Sequence, residues 1–215
     1  MKRFTLAAAL CISLAGCQTA YYSAMEKVGV HKREILVDRV EATKESQQES
    51  QEEFQSALER LTTLINFDGG ELQSAYEQLN DDYESSLSAA NDVSGNINKV
   101  EDVAEALFSE WEDELTQYSS AALKRESEKK LKQTQRQFNK LLRSMRSSED
   151  KMQPVLSSLK DNVLYLKHNL NAQAIAAIRG EFKSLKSDIQ SLIDDMNRSI
   201  ADSNKFIEQM NASNT

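Results

Sequence analysis

Two cysteines, two histidines, one proline and six glycines among 215 residues leave this chain with little material for several kinds of chemistry. Both cysteines, Cys11 and Cys17, lie within the first 17 residues. No thiol remains downstream for a disulfide framework, a zinc site or a cysteine nucleophile. His31 and His168 are far apart in sequence and neither belongs to an HExxH pattern, so a shared metal or catalytic site is not expected and surface or helix-end roles are. No Gly-rich phosphate loop, GxSxG or zinc spacing occurs. Asp68-Gly69-Gly70 lacks the remaining spacing of a calcium loop. Asp81-Asp82 and Glu112-Asp113-Glu114 are carboxylate clusters. Catalytic carboxylates need a cleft that splits their pKa values, and nothing in these stretches suggests one. The expectation is a non-enzymatic chain with no catalytic residues, no metal site and no cofactor.

The scarcity of proline and glycine, with aromatics at only 7%, excludes a turn-rich β-architecture and points to long uninterrupted elements. Strong helix formers dominate instead: Ala, Leu, Glu, Lys, Gln, with much Ser.

The N-terminus does carry a signal. Lys2 and Arg3 precede an apolar run from Phe4 through Leu14, and small residues follow. This order is that of an export signal, and the run is too short to span a bilayer as a mature helix. Leu14-Ala15-Gly16-Cys17 resembles the lipobox of bacterial lipoproteins. It implies a signal peptide over 1–16 and a mature domain over 17–215 that is anchored to the bilayer through acylated Cys17, with several acyl chains giving stable attachment. Gln18, not Asp, follows the cysteine; in enterobacterial-type lipoproteins this implies the outer membrane, facing the periplasm. Losing Lys2 and Arg3 would take the net charge from −8 to −10. An exported acidic chain is a poor nucleic-acid binder.

A seven-residue register with alternating steps of four and three runs through four segments. The first uses Leu36, Val40, Thr43, Gln47, Ser50, Phe54, Ala57, Leu61 and Leu64, and extends backwards through Gly29 to Met25 and Tyr22. Its centre, Thr43 to Ser50, is polar, so loose or wet packing is expected there. Gly29 costs roughly 1 kcal/mol relative to alanine, which makes a break between residues 28 and 33 the alternative to a continuous first helix. The second segment runs from Leu72 to Tyr118 and places Tyr76, Tyr83, Trp111 and Tyr118 on the seam; its one charged position, Glu114, can be replaced by neighbouring Leu115. The third runs from Leu131 to Leu166 with Pro154 inside it. Because the register continues, Pro154 is expected to kink the helix rather than to end it. The fourth runs from Ile175 to Met210. Turns are expected at 68–70, at 119–120 with Ser120 as N-cap, and at 169–171, where Asn suits both caps.

The expected fold is all-α: an elongated antiparallel helical bundle, coiled-coil-like, of about four long helices over about 19–67, 71–118, 121–169 and 172–210. The alternatives are a three-helix bundle with an N-terminal tail and an intermolecular coiled coil. The 119–120 turn, the C-terminus and the lipid end should share one end of the rod.

Charge is sorted along the chain. Between Glu41 and Glu114 twenty acids face three bases, whereas between Lys124 and Lys151 ten bases face four acids. Lys124, Arg125, Lys129, Lys130, Lys132, Arg136, Lys140 and Arg143 are candidates for contact with an anionic partner: anionic lipid, lipopolysaccharide or a protein. The blander reading pairs this stretch, including Arg146 and Lys151, with the acids of the second helix beside it, from Glu101 to Asp113.

Four blocks, CQTAYYSAMEKVGVHKREILVDRV (17–40), NFDGG (66–70), VEDVAEALFSEWEDELTQYSS (100–120) and KHNLNAQAIAAI (167–178), resemble a family of proteobacterial lipoproteins classed as a domain of unknown function. The resemblance covers essentially the mature chain. It implies a helical envelope lipoprotein and brings no activity, cofactor or site residues. The functional expectation is a membrane-tethered scaffold or adaptor with a protein partner in the envelope, homo-oligomers being compatible with it. The alternative is a binding module that holds a lipid or other apolar ligand between helices, with the polar-centred first helix as a movable flap.

Overall fold

The computed structural model describes Met25, residues 29–66 and residues 71–212. The expected signal peptide over 1–16, Cys17, Tyr22, the turn expected at 68–70 and residues 213–215 lie outside the described residues. Four helices follow in order: α1 Lys32–Ile65, α2 Leu72–Leu115, α3 Ala121–His168 and α4 Ala172–Ala212. No strand occurs among the described residues. The chain is an all-α bundle.

The first helix is not continuous from residue 19. Met25 is helical, but Gly29 sits at φ +86° and the Val30 N–H donates to the Met25 carbonyl at 3.0 Å. That left-handed residue closing a six-to-one bond is a Schellman-type stop, and glycine reaches it without a Cβ penalty. α1 then starts afresh at Lys32. The Glu34 carboxylate reaches back to the His31 N–H at 3.4 Å, half of a capping box.

At the two later joints the expected caps are in place. The Ser120 hydroxyl accepts from the Leu123 N–H at 3.4 Å. The Asn171 carboxamide oxygen accepts from the Gln173 and Ala174 N–H groups at 3.0 and 3.1 Å, which satisfies two donors that a helix start would otherwise leave open. α2 ends at Leu115, three residues earlier than the seam suggested. Tyr118 therefore falls beyond the helix and is 42% exposed, not packed in the core. Leu115 is buried and Glu114 exposed, so the apolar neighbour takes the seam place. α3 runs without interruption through Pro154. The ring lies on the exposed side, so water can satisfy the carbonyl it frees one turn back.

Bonds between helices fix the topology. Lys32 meets Glu110 and Arg60 meets Asp82, so α1 and α2 are antiparallel. Trp111 bonds Ser127, and Arg146 bonds Glu101, between α2 and α3. Lys140 meets Asp202 between α3 and α4. Arg33 bonds the Met210 carbonyl and Arg179 bonds that of Ile65, closing α4 onto α1. Each helix thus packs on two antiparallel neighbours, with α1 and α3 on one diagonal and α2 and α4 on the other. The start of α1, the 116–120 turn and the end of α4 share one end of the rod.

One core cluster runs through all four helices, from Leu36, Val103 and Phe206 to Leu64, Leu79, Leu166 and Ala174. Its middle is polar, in line with the α1 seam. Thr43, Gln47, Ser50, Ser148, Ser199 and Ser203 are all completely buried. Gln47 Nε2 donates to Ser148 Oγ across the α1–α3 diagonal at 2.9 Å, and Ser148 Oγ donates to the Met145 carbonyl at 2.7 Å. Gln47 Oε1, Ser50 Oγ and Ser199 Oγ have no partner among the protein atoms.

Candidate functional site

With the apolar positions turned inward, most charged side chains of the described residues are on the outer surface. Among the described residues no group of three or more His, Cys, Asp or Glu is placed to hold a metal ion. His31 caps the start of α1 and His168 is the last residue of α3. They sit at opposite ends of the rod.

The basic half of α3 does not pair with α2 as the blander reading required. Of the ten cations from Lys124 to Lys151, Arg146 is the one that forms an ion pair with α2 among the described residues. It reaches Glu101 at 2.5 Å and Asn98 at 2.8 Å while also holding Glu149 of its own helix at 2.8 Å. Burial pulls the pKa of its guanidinium down, and the hydrogen bonds it donates to the Glu149 and Glu101 carboxylates, with the attraction of their charges, outweigh that and raise it. Lys140 and Lys151 turn the other way, to Asp202 and Asp195 of α4. Asp195 is 5% exposed and is also held by Arg198, and Lys151 Nζ donates in addition to Ser191 Oγ at 2.9 Å. Lys132 bonds Glu128 within the helix at 2.6 Å, which lowers the Glu128 carboxyl.

Six cations are left exposed and without an ion pair: Lys124, Arg125, Lys129, Lys130, Arg136 and Arg143. The reason is rotational. Leu131, Phe138, Leu141 and Met145 define the inward side of α3, and at 100° per residue Arg125, Lys129, Lys132, Arg136 and Arg143 fall on the opposite side. The α2 acids Glu105, Glu112, Asp113 and Glu114 make no ion pair with them; Glu112 is met only by Gln135 at 3.1 Å. The charge run is legible in sequence, but its outward direction needs the core register.

At the end of the rod, Arg33, Trp111, Lys130, Gln137 and Gln209 line a groove of about 440 Å³. Burial lowers the pKa of Arg33, whose Nη2 donates to the Met210 carbonyl at 2.6 Å. A second groove, of about 280 Å³, lies between α3 and α4 and is lined by Asn162, Tyr165, Ala177 and Ile178. No helix among the described residues is long and apolar enough to cross a membrane.

The family model described as "Protein of unknown function (DUF2959)" matches residues 21–210. No curated protein and no solved structure matches the chain.

Proposed function

From the premise that the chain belongs to this family of proteins of unknown function, we propose that it is a non-enzymatic scaffold or adaptor of the cell envelope. In this reading it is tethered by lipid on Cys17, on the outer membrane facing the periplasm, and it works through its outer surface. The observation that carries the reading is the division of the rod. Its inside is one continuous cluster of packed side chains, and its run of uncompensated basic charge lies outside on α3. A rod of this kind can present a surface and hold a distance. Its candidate contact face is the α3 stretch Lys124, Arg125, Lys129, Lys130, Lys132, Arg136, Lys140 and Arg143. The lipid anchor rests on Leu14-Ala15-Gly16-Cys17 and the run before it.

Two measurements test this. Cys17→Ser should move the protein from the membrane fraction to the soluble fraction; unchanged membrane association would overturn the anchor. Crosslinking in intact cells, read by mass spectrometry, should recover an envelope protein through α3. An apolar molecule that co-purifies in native mass spectrometry would instead favour the ligand-binding alternative.

A further inference from the structure

Two helices of this rod each carry an exposed row of charge of one sign, acidic on α1 and basic on α3. On α1, Asp38, Glu45, Glu52 and Glu59 recur at seven-residue steps and all four are exposed. On α3, Lys129, Arg136 and Arg143 recur at the same step and are exposed. Seven residues span about 10.5 Å of helix, so the acidic row is about 31 Å long and the basic row about 21 Å. Neither row is spent inside the molecule. Asp38, Glu45 and Glu52 take part in no ion pair or hydrogen bond among the described residues, and Glu59 only accepts from Gln55. The three cations are equally without partners.

Over these spans each row has few unpaired charges of the other sign beside it. Glu34 and Glu41 lie on the outward side of α1; the nearby bases are Arg39, Lys44, which is held by Glu41, and Arg60, which is held by Asp82. On α3 the outward side adds Arg125 and Lys132; the acids there are Glu126, Glu128, which is held by Lys132, and Asp150, which is exposed one seven-residue step beyond Arg143 and ends the basic row. Solubility alone is served by mixed signs, whereas a single-sign row repels itself along its length. Because α1 and α3 are diagonal and parallel, their outward sides point in opposite directions.

We propose that these rows are the two halves of one interface, through which copies of this chain associate side by side, the α3 row of one bundle against the α1 row of the next. The equal seven-residue step lets three consecutive pairs form at once, Lys129, Arg136 and Arg143 against three of the four acids. Since the two rows lie on opposite faces, the contact is heterologous and does not close after two copies; it builds a row of bundles. A flat anionic membrane fits less well. A plane laid on α3 also approaches α2, whose Glu105, Glu112, Asp113 and Glu114 are exposed, while a helix of a second copy covers the width of one row. Exposed pairs are individually weak and screened by salt, so the association is weak and ionic. It does not depend on the lipid anchor.

The test uses the full chain in a mild non-ionic detergent, followed by sedimentation velocity. Species larger than one copy should grow with protein concentration at ~20 mM salt and disappear at ~500 mM, where the screening length falls to a few ångströms. The triple variant Lys129→Glu/Arg136→Glu/Arg143→Glu should be monomeric alone, and so should Asp38→Lys/Glu45→Lys/Glu52→Lys. Mixed one to one, the two should associate again, because each row then meets its opposite. The neutral variant Lys129→Gln/Arg136→Gln/Arg143→Gln should weaken association by roughly tenfold or more. Its circular dichroism melt reports whether the fold is intact. A wild-type chain that stays monomeric at low salt, or a mixture no more associated than its parts, overturns the proposal. So does binding of the wild-type to phosphatidylglycerol vesicles that is lost in the α3 variants while no self-association occurs; that result would assign the α3 row to lipid.

Discussion

Ser50 carries a completely buried hydroxyl with no partner. Such a group costs about 1–3 kcal/mol in desolvation, and serine is also a poorer helix former than alanine. Ser50→Ala should therefore stabilise the bundle by about 1 kcal/mol, a rise in Tm of roughly 2–4 °C for a chain of this size, read by thermal melting. Asp195 is the opposite case, a buried carboxylate met by Lys151 and Arg198. Lys151→Met removes one partner and should destabilise by about 1–3 kcal/mol. Adding Asp195→Leu should recover much of that loss, because no buried charge is then left short of a partner. If the double variant is as unstable as the single, the loss comes from packing of the lysine stem and not from the carboxylate.

Pro154 and Gly95 test how far a helix follows its register against its own propensities. α3 continues through Pro154 because inward Met152, Val155, Leu156 and Leu159 are buried on both sides of it, and burial of that row outweighs one lost hydrogen bond on the wet side. Pro154→Ala should stabilise by about 1–3 kcal/mol, seen as a higher urea midpoint at unchanged m. Gly95 lies inside α2, and a Cβ there would meet nothing within 4 Å. Gly95→Ala should add about 1 kcal/mol in the same measurement. Gly29 behaves differently although it too was part of a seven-residue register. At φ +86° it ends a helix, and Gly29→Ala should destabilise by about 1 kcal/mol or more. Register alone cannot separate Gly29 from Gly95, since both are glycines in a run of good helix formers. The difference is in the backbone: Gly29 takes a left-handed φ of +86°, and Gly95 stays within helical geometry.

The described residues form a square of four rods in which each core face is covered by two neighbours. A chain ending at His168 would remove α4, which packs on both α1 and α3, and uncover one side of the core rows of those two helices. The expected outcome is loss of the cooperative thermal transition, because a three-walled version leaves a long apolar trough open to water. A sharp, concentration-independent melt of that fragment would mean that α4 is an accessory to a three-helix core.

What the sequence by itself determined is inward versus outward. Leu36, Val40, Phe54 and Leu61, or Phe138, Leu141 and Met145, are inside because side-chain direction repeats every 3.6 residues and the apolar row is covered by whatever neighbour is present. The caps at Ser120 and Asn171 were legible for the same reason: a side-chain oxygen one residue ahead of a helix serves N–H groups two and three residues on. What only the tertiary structure decided is which polar group meets which. Lys140 and Lys151 turn to α4 and not to the acidic α2, and Gln47 meets Ser148 across the diagonal, because such bonds depend on rotation and axial offset between helices far apart in sequence. The basic and acidic runs could be counted from the chain, but their placement on opposite sides of one rod follows from α1 and α3 sharing a diagonal. Local periodicity sets how each helix turns about its own axis; only packing sets where the helices stand relative to one another.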